Sequence, residues 1–227
     1  MPGRVLSGVR VLDLTRVVAG PFATAILADL GADVIKIERP RIGDDYRYGP
    51  SKEGETSLSF QNTNRGKCSI TLDVRQPEGR ELFLRLVEGA DVVTENFRAG
   101  WMDGREIGPD VIQERNPRCV VASLSGFGRT GWRAGHASYD IVAQATGGLM
   151  ALTGFPDGPP VRGGGALGDF VGGLYLALGI VAGLRDRDLT GRARALDLSN
   201  QDALFAIADS AVTIFKEIGR ASCRERV

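Results

Sequence analysis

The stretch from Val9 to Ile37 constrains the fold more than any other part of the chain. Val9 to Leu14 (VRVLDL) is short, apolar and rich in β-branched residues, as a buried strand is. Pro21 stands where the first turn of a helix tolerates proline, and Phe22, Ala25, Ile26 and Leu30 then recur at helical spacing. Gly31 ends that helix as a C′ residue does, and Ala32 to Ile37 (ADVIKI) reads as a second strand. Strand, helix and strand in about 30 residues form a βαβ unit, which requires parallel strands and a right-handed crossover.

The alternation continues. Ser69 to Asp73 alternates like a strand, and Pro77 to Glu88 places Leu82, Phe83, Leu86 and Val87 on one helical stripe. Ala90 to Thr94 and Cys119 to Leu124 are further strands, with Val111 to Arg115 in a short helix between them. Arg39 to Thr63 is polar and reads as a surface loop. Tyr139 to Leu152 is helical, Gly154 to Gly168 is a Gly/Pro loop, and Asp169 opens an apolar helix to about Leu184. Leu196 to Leu198 is a brief strand and Gln201 to Ile218 a last helix. The pattern predicts an α/β chain with a Rossmann-like, doubly wound, mostly parallel sheet and flanking helices. Such sheets bind ligands at the carboxyl ends of their strands. Residues 1–218 are expected to form one large domain. In 219–227 (GRASCRERV) the periodicity stops, and this tail is either a native extension or a non-native remnant.

Charge and composition remove several function classes. The chain has 28 Lys plus Arg and 28 Asp plus Glu, so it has no general field for nucleic acid or an anionic membrane. The apolar run Phe170 to Leu184 is about 15 residues, short of the roughly 20 that span a bilayer, and reads as a buried helix. One histidine and three scattered cysteines are too few for a typical zinc site, so no metal is expected. The cysteine pattern also makes a reducing cytoplasm the expected compartment. No GxGxxG follows the first strand, where the turn reads TRVVAGP instead, and no GxxxxGK[ST] or GxSxG is present. His136 lies in a polar loop and reads as a solvated residue rather than a catalytic one.

Asp169, in GALGDFVGG, carries more information. A carboxylate at the start of an apolar helix faces the free N–H groups there, so one reading is an N-cap. The other is a nucleophile. Gly163, Gly164, Gly165, Gly168, Gly172 and Gly173 leave room for a bulky electrophile, and a carboxylate can attack an acyl thioester.

From Leu6 to about Phe215 the chain resembles the N-terminal half of the class III CoA-transferases, the family of formyl-CoA transferase and carnitine CoA-transferase. The segments that carry the resemblance are LSGVRVLDLTRVVAGPFATAILADLGADVIKIERP, NRGKCSITLD, PEGRELFLRLVEGADVVTENFRAG, LSGFGRTG, YDIVAQATGG, TGFPDGPP and GDFVGG. The resemblance implies that Asp169 is the nucleophile and that CoA or acyl-CoA is a substrate, with no tightly bound cofactor. It places the nucleotide end of CoA against Val18 and Ala19. Arg39 matches a residue near the adenosine phosphates, where a guanidinium suits a 3′-phosphate; a solvated surface arginine is its other reading. Lys67 and Leu72 are expected along the same groove, Asn96, Phe97 and Arg98 beside the pantetheine, and Arg105 by the diphosphate. Phe97 reads equally as a core residue.

The related α-methylacyl-CoA racemases carry a histidine before the aspartate that is Asp140 here, suited to shuttling a proton. This chain has Tyr139 there, as the transferases do, which favours CoA transfer over racemisation. Tyr139 is then an active-site hydrogen-bond donor, its alternative being a packed tyrosine at a helix start. A catalytically silent CoA-binding fragment is the third reading. Family members run longer than 227 residues, and their C-terminal part interlocks two chains as a homodimer. The sequence therefore reads as truncated and, taken alone, inactive, with apolar surface left uncovered. The acceptor is expected to be a carboxylic acid, with a mild preference for a dicarboxylic one.

Overall fold

The computed structural model describes residues 3–51, 56–155, 157–208 and 210–219; of the expected tail, only Gly219 lies among the described residues. The βαβ unit is present as β1 (Arg10–Asp13), α1 (Ala19–Asp29) and β2 (Asp33–Glu38). After it come α2 (Leu58–Thr63), β3 (Cys68–Thr71), α3 (Pro77–Val87), β4 (Val92–Glu95), α4 (Pro109–Arg115) and β5 (Val120–Ser125). The remainder is α5 (Asp140–Thr146), α6 (Leu149–Leu152), α7 (Leu167–Thr190), β6 (Ala195–Ser199), α8 (Asn200–Ala206) and α9 (Ala211–Ile218).

The six strands run in the order β3-β2-β1-β4-β5-β6, and every neighbouring pair is parallel. This is the Rossmann order, which reverses direction between β1 and β4. Because strand side chains alternate, adjacent residues feed opposite cores. Val11, Val92 and Val120 pack with α1 and α7, while Leu12, Val93 and Val121 pack with Phe83, Leu84 and Val87 of α3 and Ile112 of α4.

Several boundaries differ from the sequence reading. The polar stretch 39–63 holds a 3₁₀ turn at Asp45–Tyr48 and helix α2, whose cap is Ser57 accepting from the N–H of Phe60 at 3.3 Å. The helix expected from Tyr139 to Leu152 breaks at Gly147–Gly148, where Gly148 takes φ 86°. The helix expected from Gln201 to Ile218 breaks after Ala206. There, Ile207 and Ala208 donate to the carbonyls three residues back and tighten the turn to a stop. The apolar helix is longer than expected, 24 residues, and ends at Gly191 in a left-handed turn. By length and composition it is long enough to cross a membrane. Here it lies on the sheet with Leu176, Ile180 and Leu184 in the core. It also approaches α1 closely: a Cβ on Gly173 would sit 2.6 Å from the carbonyl oxygen of Ala19.

Candidate active site

The loops that leave the carboxyl ends of the strands enclose two neighbouring cavities of about 260 and 480 Å³. Each strand from β1 to β5 contributes the residues just beyond or at its end, and β6 delivers Asn200. Arg16, Phe97 and Trp101 line both cavities and form the wall between them. In that wall Phe97 and Trp101 stack with centroids 4.1 Å apart, Arg16 lies 5.2 Å over Phe97, and Arg105 lies 3.9 Å over Trp101.

Asp169 lines the larger cavity. It is the third residue of α7, not its cap; Ala166 holds the cap position and offers no side-chain bond. The N–H of the preceding Gly168 is taken instead by Asp140, at 2.7 Å. The Asp140 carboxylate also accepts from Arg162 at 2.8 Å and from Gln144 at 2.9 Å. Gln144 in turn accepts the N–H of Gly163 at 2.8 Å, so this buried cluster pins both ends of the glycine run to α5. Burial raises the Asp169 carboxyl to about 6 and the charge of Asp140 adds to this, against Arg162 and a hydrogen bond from Asn200.

The turn after β1 is held from every side. Asn96 accepts from the Arg16 N–H and donates to the Arg16 carbonyl, both at 2.8 Å, stitching the β1 and β4 turns together where the strand order reverses. Val17 takes φ 68°, uncommon for a β-branched residue. Its N–H donates to Asp44 at 3.0 Å, and the ammonium of Lys36 lies 3.0 Å from the same carboxylate and donates to the Thr15 carbonyl at 2.8 Å.

The residues expected at the site divide as follows. Val18, Ala19, Asn96, Phe97, Arg98 and Tyr139 share the larger cavity with Asp169, and Arg39, Leu72, Phe97 and Arg105 line the smaller. Tyr139 is 78% exposed at the start of α5, so the packed-tyrosine alternative does not describe it. Arg39 donates to Asp45 at 2.6 Å and at 3.3 Å to the Gly43 carbonyl. Phe97 is half-buried and packs on the second core while its ring forms cavity wall, which joins its two readings. Lys67 lines neither cavity, a correction to its place along the groove. Its buried ammonium is shared among Asp13, the Pro21 carbonyl and Asn64 at 2.9–3.0 Å. Sequence reasoning missed Arg16, Trp101, Asn200 and the Asp140–Arg162 pair. A glycine run beside charged residues hinted at the last, but only the fold brings positions 140 and 162 together.

The family model described as CoA-transferase family III matches residues 6–224. An acetyl-CoA:oxalate CoA-transferase of Acetobacter aceti is 45% identical over 98% of this chain, and a succinyl-CoA:mesaconate CoA-transferase of Haloarcula hispanica is 42% identical over 97% of it. The chain covers 58% of the length of each. A crystal structure of a CAIB/BAIF family protein from Brucella suis superimposes with a TM-score of 0.91 at 41% identity, over 96% of this chain and 59% of that one. With its parallel sheet, its paired cavities and a match over nearly its whole length, the chain belongs to CoA-transferase family III.

Proposed function

We propose that the protein transfers CoA from an acyl-CoA donor to a carboxylic acid, with Asp169 as nucleophile. The observation that carries this reading is a desolvated carboxylate in a cavity adjoining a second one edged by arginines. Burial strips water from the carboxylate, which strengthens it as a nucleophile once ionised. Asp169 attacks the thioester carbonyl, expels CoA thiolate and becomes a mixed anhydride. The thiolate attacks the aspartyl carbonyl, releases the donor acid and leaves an aspartyl-CoA thioester. The acceptor carboxylate attacks that carbonyl, freeing the thiolate and forming a second anhydride. The thiolate then takes the acceptor acyl group, and Asp169 is regenerated.

The smaller cavity suits the nucleotide, with Arg39 and Arg105 for its phosphates and the Phe97–Trp101 stack as an apolar wall. The larger suits pantetheine and acyl group, so Val18 and Ala19, which line it, meet the pantetheine rather than the nucleotide end expected there, and Tyr139 offers a phenolic donor at its rim. The matched relatives named for oxalate and mesaconate support a dicarboxylic acceptor. Exposed apolar Leu174, Tyr175 and Leu178 of α7, Phe205 of α8 and Phe215 of α9 support a homodimer, or further chain, covering them. The free Cys68 and Cys119 fit a reducing cytoplasm.

Mass spectrometry of the full-length protein after incubation with an acyl-CoA tests the reading. An acyl or CoA adduct on Asp169, lost in Asp169→Ala, supports it. Exchange of the α-proton with deuterium and no adduct would replace transfer by racemisation.

A further inference from the structure

Asn200 sits at the junction of β6 and α8, 8% exposed, and lines the larger cavity. Its amide nitrogen donates to Asp169 Oδ1 at 3.3 Å. Its amide oxygen has no hydrogen-bond partner among the described residues, although it is buried. That oxygen is pressed against α7: a Cβ on Gly172 would lie 1.9 Å from it. Position 172 must therefore be glycine for the amide to stand where it does. Buried acceptors are nearly always satisfied, and departures from that rule collect at working sites. Among the described residues, the one bond that the side chain makes is to the carboxylate.

We propose that Asn200 is a positioning residue: its N–H ties down one oxygen of Asp169, so that the other faces the thioester. This assignment rests on the nucleophile reading above. A donor aimed at a carboxylate favours its ionised form, the form that attacks. The other charged or titratable groups bearing on Asp169 are Asp140 of α5 and Arg162 of the preceding loop. Arg16, Asp45, Arg98, His136 and Tyr139 share its cavity.

The test is the pH profile of kcat/KM for the acyl-CoA, measured on the full-length protein. Removing the donor in Asn200→Ala should move the acid limb to higher pH and lower kcat about tenfold, the size of one hydrogen bond, while KM stays within about twofold. Gly172→Ala displaces the amide without deleting it, and it should shift the limb in the same direction. It also serves if Asn200→Ala fails to fold. An unchanged acid limb in either folded variant overturns the role of Asn200. If instead Asp169→Ala still acquires the adduct, the nucleophile reading fails, which is a separate result.

Discussion

Asp140 caps the helix that carries Asp169, its Oδ1 accepting the N–H of Gly168 at 2.7 Å. One carboxylate thus satisfies the helix end whose first turn carries another. Burial holds the Asp169 carboxyl at about 6, and the negative charge of Asp140 is the second cause.

A raised carboxyl means that the folded state binds the proton more tightly than the unfolded one. Stability should therefore grow as pH falls through 6 toward the ordinary value of 3.8, and ionised Asp169 should be a cost above that window. Asp169→Asn should be more stable than the parent by about 1–2 kcal/mol near pH 8, a figure reduced for the solvent that still reaches the side chain. Urea midpoints near pH 8 and pH 4 measure it. The gap should close at the lower pH; a constant gap would contradict the assignment.

Glu95, at the end of β4, is pushed up to about 7 by burial, although it accepts the Phe97 N–H at 2.6 Å and a bond from Ser123. The sign is the same as for Asp169, and the window is higher. Glu95→Gln keeps an acceptor for Phe97 and removes the ionisation. We expect a gain of about 2–3 kcal/mol near pH 8.5 that has faded by about pH 5. A loss of stability at the higher pH would show that the charge itself holds the turn.

Lys67 and Asp13 form a buried pair, 3.0 Å apart, with side chains 2% and 0% exposed. Burial alone would raise Asp13, but the ammonium groups of Lys67 and Lys36 hold it at about 2. Lys67→Met should cost about 3–5 kcal/mol in chemical denaturation, because it leaves a carboxylate buried with less compensation. A change under about 1 kcal/mol would return Lys67 to the class of exposed groove lysines.

Arg39 separates the phosphate reading from the structural one. If its guanidinium meets the 3′-phosphate, Arg39→Ala should weaken CoA about tenfold in calorimetry and leave 3′-dephospho-CoA nearly unchanged. Equal weakening of both ligands would mean that Arg39 acts by bracing Asp45 and the Gly43 carbonyl.

Features read correctly from sequence were those carried by local pattern. Period-2 and period-3.6 runs located the strands and the long helix, and glycines around Asp169 marked the spot where backbone comes close. Features missed depend on distance in the chain. Helix α2 has only Leu58 and Phe60 as apolar residues, too few to show a period, and the buried ring of Phe60 anchors it. Lys67 resembled a ligand-facing lysine because its partner Asp13 lies 54 residues away. Val17 gave no sign of a left-handed turn, since its side chain disfavours one and the conformation is imposed by Asp44 and Asn96 through the neighbouring amides.

The contact between Gly173 and the Ala19 carbonyl leaves no room for a side chain as cushion. Sliding one helix along the other would bring backbone against backbone, so the interval between the Asp169 carboxyl and the turn after β1 is a fixed gauge. Relatives that choose different acids would then have to diverge in the loop around it at 126–139, which lines the larger cavity, while the gauge stays constant.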